Sequence, residues 1–222
     1  KLHINNSLFS NNTALKPFGG VSGICLYNNS ELVVQNTNFT YNAAHRWGVV
    51  YGYVGCTISV YNSQFIGQYG GSIYGIDHVT IIVKDTSFIN NTMVSTYDHS
   101  AVIDILYNST LLLRDSIIQN NTASSSTVLD VQYGCSATLN NVTAMFNTKH
   151  DEGSANIGIS HSSTLHITDS TFRYAAGLLV SVFYSSIMDT SNCTYSDNLD
   201  GVLFLQSGSS AHVANCIFTR NA

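Results

Sequence analysis

The sequence predicts an all-β right-handed parallel β-helix, a solenoid of about nine coils, each of roughly 23–30 residues and three strands. Three observations carry that prediction. One motif recurs along the whole chain, its copies alternate apolar and polar residues, and nearly all variation in copy length falls in one connection per coil.

The motif reads apolar, any, apolar, any, Asn/Asp, Ser/Thr/Cys, any, aromatic, any, any, Asn. Its first copy is Leu2, Ile4, Asn6, Ser7, Phe9 and Asn12, and it returns as Leu32, Val34, Asn36, Thr37, Phe39 and Asn42. Further copies begin at Ile58, Ile81, Leu111 and Leu165, and a weaker one centres on Asn141 and Ala144. The last two carry Cys193 before Tyr195 and Cys216 before Phe218. Alternating apolar residues, several of them β-branched, suit a pleated half-buried strand. A β-sandwich would need nine evenly patterned copies by coincidence.

The position numbers of successive aromatics differ by 30, 26, 23, 30, 26, 28, 23 and 23. Each copy follows a short apolar strand ending at Leu26, Gly52, Ile76, Ile105, Val131, Ile159, Val182 or Leu205. From there to the next aromatic the distance is 13 residues in seven cases and 12 in one. From the aromatic onward to the next strand end it ranges from 10 to 17. One arm of the coil is therefore fixed, and the other accepts insertions that emerge as loops on one side.

Stacking places like residues about 4.8 Å apart. Phe9, Phe39, Phe65, Phe88, Phe172 and Phe218 are expected to share one interior line. Asn6, Asn36, Asn62 and their equivalents are expected at a tight, inward bend. Asn tolerates left-handed backbone geometry there, and its amide can bond the coils above and below.

Composition narrows the function. Only 9% of residues are charged, against roughly 25% in an ordinary domain, and 23 Asn, 29 Ser and 20 Thr solvate the chain instead. With 8 Lys+Arg and a net charge of −5, no basic surface is available for phosphates, which excludes nucleic acid as a partner class. No apolar run approaches the ~20 residues of a membrane span. The chain opens and stops mid-pattern, so residues 1–222 read as one β-helix segment, a fragment of a longer repeat protein.

The architecture resembles the pectin-lyase-like superfamily of right-handed parallel β-helices. The Phe-x-x-Asn elements at Phe9, Phe39, Phe88 and Phe218 are similar to the repeats of polymorphic outer-membrane proteins and related adhesins. Their companion glycine motif is matched only loosely, by Gly19-Gly20-Val21 and Gly70-Gly71-Ser72-Ile73.

Many such relatives cleave acidic polysaccharides with clustered carboxylates, a bound Ca²⁺ and a basic residue. The local candidates are Asp104 and Asp130, at one position of consecutive coils and expected to point outward. Two carboxylates that close share a proton or hold a cation such as Ca²⁺; no other cofactor is expected. Lys84 and Arg114 share a column on a different face. Gly75-Ile76-Asp77-His78-Val79 faintly resembles a pectate-lyase element, but the accompanying Arg-x-Pro-x-x-Arg is absent.

The eight histidines, His3, His45, His78, His99, His150, His161, His166 and His212, show no metal-ligand spacing in sequence. His78 and His161 fall in or near a corner column with Tyr107, Tyr133 and Tyr184, either a sugar-stacking surface or an aromatic ladder supporting the turn.

Cys193 and Cys216 occupy one repeat position in adjacent coils, within reach of a disulfide. Cys25, Cys56 and Cys135 are expected as buried thiols. Nine Asn-x-Ser/Thr sequons occur. In a eukaryotic secreted protein Asn5, Asn11, Asn28, Asn38, Asn90, Asn108 and Asn120 are the expected glycan acceptors, whereas Asn141 and Asn192, in the bend column, are expected to be poor ones.

The leading expectation is a non-enzymatic extracellular scaffold: a surface fibre, stalk or adhesin segment that self-associates or continues end to end, with glycans or cell-surface proteins as partners. A polysaccharide lyase or hydrolase using the Asp104/Asp130 face and a glycan-binding module are the alternatives.

Overall fold

The computed structural model describes residues 1–14, 20–44, 47–93, 100–149 and 155–222. Gly19, His45, His99 and His150 lie outside the described residues. The fold is a right-handed parallel β-helix whose paired strands run parallel. A 16-stranded sheet supplies two strands to most coils, such as Leu2–Asn5 and Leu8–Ser10, on either side of a bend. In two coils they run together as Thr110–Gln119 and Ser136–Met145. The third strand, such as Ile24–Tyr27, belongs to an eight-stranded sheet.

The registers reproduce the sequence columns. Leu2 pairs with Leu32, Phe9 with Phe39, and Phe65 with both Phe39 and Phe88. Inside the bore Phe39 and Phe65 stack with centroids 4.6 Å apart, and Tyr195 stacks on Phe172 at 5.5 Å and on Phe218 at 5.0 Å. Ile118 and Ala144 fill the same line where the rings give out. Burying a large apolar side chain in this line contributes roughly 1.5–3 kcal/mol.

One strand-end assignment changes. Leu26, Gly52, Gly75 and Ile105 are the aligned residues, so Gly75, and not Ile76, is the equivalent. The fixed arm is then 13 residues in every coil, and the variable arm absorbs all the slack. Gly75 escapes recognition because the apolar Ile76 beside it offers itself as the strand end. A Cβ on Gly75 would lie 2.9 Å from Ile81 Cδ1.

The bend column also departs from expectation. Asn6, Asn36, Asn62, Asp85, Asp115, Asn141, Asp169, Asn192 and Asn215 all adopt left-handed backbone, with φ between 46° and 55°. Their side chains lie on the outer side, and all of them are exposed to solvent. Some link neighbouring coils on the surface: Asn62 Nδ2 donates to Asn36 Oδ1 at 2.7 Å and Asn36 Nδ2 to Asn5 Oδ1 at 3.2 Å.

The inward polar ladder is the Asn that ends each motif. Asn42, Asn91 and Asn121 are fully buried, and Gln68 is 1% exposed. The Oδ1 of Asn121 accepts from Asn91 N at 2.8 Å and Asn91 Nδ2 at 2.9 Å. Its own Nδ2 donates to Phe88 O and to Asn147 Oδ1, both at 3.0 Å. Each amide thereby satisfies backbone groups that a buried corner would otherwise orphan. The position after the bend is inward as well. The Ser63 hydroxyl donates to Tyr61 O at 2.8 Å while accepting from Thr37 N at 3.1 Å.

A further corner uses two consecutive left-handed residues. Asn28-Asn29, Asp77-His78, Tyr107-Asn108, His161-Ser162 and Tyr184-Ser185 all have positive φ, and Val54-Gly55 and Tyr133-Gly134 complete the pattern. Gly134 is required: a Cβ there would sit 2.7 Å from Asn108 Oδ1.

Candidate functional site

Asp104 and Asp130 are direct register partners, as the repeat spacing implies. They are not solvated, however, being 2% and 4% exposed. Among the described residues, Ser100 and Ser126 of the variable arm lie on this outer side of the eight-stranded sheet. Ser100 N donates to Asp104 Oδ1 at 2.9 Å, and Gln132 Nε2 donates to Asp130 Oδ2 at 2.7 Å. At Gly158, the next position in the column, a Cβ would meet Ser126 Oγ at 2.6 Å and Asp130 Oδ1 at 3.1 Å. Farther along, Trp47 covers the same face, its ring 5.5 Å from Tyr51 and 5.3 Å from Tyr74. A small pocket beside Asp104 is lined by Gly70, Gly71, Ser72, Tyr74 and Ser100. A polymer laid along this face meets the covering arm and not the carboxylates.

Lys84 and Arg114 are register partners on the other sheet, exposed to solvent. Lys84 Nζ lies 3.6 Å from Asp85 Oδ2 and 4.0 Å from Asp115 Oδ2, an exposed cluster of little energetic weight. Asp77 and His78 form a local contact of 2.6 Å at the left-handed corner.

The corner aromatics form a ladder. Tyr107 and Tyr133 stack at 4.8 Å, Tyr133 and His161 at 4.4 Å, and His161 and Tyr184 at 4.8 Å. His78 stands one position further, aligned with Asn108. The tyrosines are 38–55% exposed, but within the run the facing rings lie against each other and present their edges. Stacking a sugar ring requires a free aromatic face, so this ladder supports the turn in preference to a ligand.

All five cysteines are free thiols in the structure. Cys193 and Cys216 hold equivalent places in adjacent coils, but they are not joined. Each thiol points to the carbonyl two residues back, Ser191 O at 3.1 Å and Ala214 O at 3.3 Å, as the serines and threonines of this column do. Cys56 and Cys135 are buried, and burial pushes the Cys135 thiol up to about 11. Cys25 is exposed, contrary to expectation, because its strand turns it to the outer side.

Seven sequon asparagines (Asn5, Asn11, Asn28, Asn38, Asn90, Asn108 and Asn120) are exposed. So are Asn141 and Asn192, whose expected inward placement fails with that of the whole bend column.

One constellation escaped the sequence reading. His166 pairs in register with Asp189, and Asp189 with His212, on the outer side of the 16-stranded sheet. His166 Nδ1 lies 3.1 Å from Asp189 Oδ2. The signal was present in the repeat. All three stand six residues before their coil's aromatic position, Phe172, Tyr195 or Phe218. Separation by whole coils hides that alignment from any search for short ligand motifs.

Comparison with known proteins bears on the fold. The chain of QnrB1, described as a plasmid-mediated fluoroquinolone resistance protein, aligns at 13% identity over 85% of this chain and 89% of its own, with a TM-score of 0.27. Nothing about activity is carried from a likeness at that level. No curated protein matches the chain. The family described as right handed beta helix region matches residues 83–222, more than half the chain, and the coil geometry around those residues is of that kind. The chain belongs to the right-handed β-helix family.

Proposed function

We propose that this chain is a non-enzymatic extracellular scaffold, a segment of a surface fibre, stalk or adhesin. The observation that carries the reading is the burial of the stacked Asp104–Asp130 pair beneath the variable arm, which leaves the best acidic candidate unable to touch a polymer. The low charge and the continuous Asn, Ser and Thr columns support the same reading. A solenoid built this way is a stiff rod whose coils contact only their neighbours. Self-association or continuation end to end is the partner class it implies, with glycans or cell-surface proteins along the flanks. The nine exposed sequon asparagines make N-glycosylation part of the proposal.

Two measurements test it. The purified segment is expected to leave polyuronates uncleaved with and without Ca²⁺; turnover that Asp104→Ala abolishes would overturn the scaffold reading in favour of a lyase or hydrolase. Glycopeptide mass spectrometry of the chain secreted from eukaryotic cells is expected to find occupied sequons. Uniformly bare asparagines would remove the glycoprotein part.

A further inference from the structure

The geometry points to a metal site: His166, Asp189 and His212 together bind one divalent transition-metal ion of the zinc or copper class. The three side chains project from the same position of three consecutive strands, Thr164–Thr168, Ile187–Ser191 and Ser210–Ala214. Strand spacing of about 4.8 Å puts the histidine Cα atoms roughly 10 Å apart with the aspartate midway. An ion held above Asp189 at ordinary ligand distances of about 2.0–2.2 Å is then within reach of an imidazole leaning in from either side.

The surroundings favour a cation. His166 and Asp189 side chains are 45% and 43% exposed, and His212 is exposed. The flanking outward positions are Thr164, Thr168, Ile187, Ser191, Ser210 and Ala214, none of them charged. Nothing cationic on these strands competes for the carboxylate. Two imidazoles with one carboxylate select zinc, copper or nickel over calcium or magnesium, which want oxygen.

Among the described residues no three such side chains converge on one point as they stand. His166 instead turns its Nδ1 to Asp189. Convergence requires changes only in side-chain torsions, because the hydrogen-bonded strands already fix the backbone positions. Loading the site would tie three successive coils together. It would also require neutral imidazoles, so protons compete with the ion and affinity falls in acid.

Isothermal titration with Zn²⁺ at pH 7.5, in a Cys25→Ser background that removes the exposed thiol, reads the site directly. One saturable equivalent is expected. His166→Ala and His212→Ala should each weaken it by about tenfold or more, and the double variant should lose it. His3→Ala, in the same column at the other end, should leave it unchanged. Cu²⁺ spectra are expected to carry hyperfine structure from two imidazole nitrogens. These side chains are exposed, so the metal-free variants should melt with the parent, and only the parent should gain melting temperature from Zn²⁺. Undiminished binding by the double variant, or no saturable equivalent in the parent, would overturn the assignment without bearing on the scaffold reading.

Discussion

From Leu26 to Phe39, and at every equivalent step, 13 residues carry the chain round two corners; from Phe39 to Gly52 and its equivalents the count runs from 10 to 17. The fixed arm is held by side chains that take over backbone duties. The Ser63 hydroxyl accepts from Thr37 N, the Ser109 hydroxyl accepts from Val79 N, and left-handed Asn or Asp turns each bend. A residue added here would push every later position onto the wrong face. Beyond the buried Asn corner at its start, the variable arm has no such restriction, and its Ser100 lies against the buried Asp104. Constancy of length thus tracks how many backbone groups depend on neighbouring columns. It does not track burial, since Val49 and Val102 in the variable arm are as buried as Val83 in the fixed one.

The sharpest way to break that comparison is a matched pair of insertions. Three residues placed after Val83, inside the fixed arm, should displace Phe88 from its line between Phe65 and Ile118 and abolish a single cooperative transition. The same three placed after Ser125 should cost under about 1 kcal/mol, because loop closure grows slowly with length. Guanidinium melts followed by circular dichroism distinguish them, and equal losses would refute the division.

A smaller effect separates the buried Asn ladder from the exposed left-handed residue that precedes it. Asn121→Leu strands the donors of Asn91 and the carbonyl of Phe88, which should cost about 3 kcal/mol or more. Asn120→Ala, one residue away and exposed, should stay within about 1 kcal/mol, the cost of its left-handed backbone. Urea titrations of the two variants check the ratio.

The smallest expected change is a gain. Val54 is a β-branched residue at φ 54°, where its partners in the column include Asn28 and Asp77. Val54→Asn should stabilise by about 0.5–1 kcal/mol by relieving that strain. A lowered denaturation midpoint would show that the half-buried valine contributes more through packing than it loses in torsion.

The sequence made the scaffold legible because a solenoid writes its contacts as a period. Phe9, Phe39, Phe65 and Phe88 stand at the same place in each copy, and that is where they stack. What it hid were the directions of side chains at bends. Asn36 and Asn42 look alike in a motif, yet one faces solvent and the other is fully buried, because Asn36 is itself the left-handed residue of its bend whereas Asn42 follows the left-handed Tyr41. Burial of Asp104 was hidden for another reason. Alternation along Ile103–Leu106 marks the outer face of the sheet, but the residues that cover it come from an arm without a pattern. The His166, Asp189 and His212 column needed the register, since no two of them lie closer than a full coil in the chain.

The unequal coil lengths have a mechanical consequence. A rod pulled from its ends sheds coils one at a time, since each is bonded only to the coils on either side. Each released coil pays out about 3.3–3.6 Å per residue, so the shortest and longest coils give steps of roughly 80 and 105 Å. The order of long and short steps along a force trace would identify which end yields first. The insertions tolerated on one side of the molecule would thereby act as distance marks along its length.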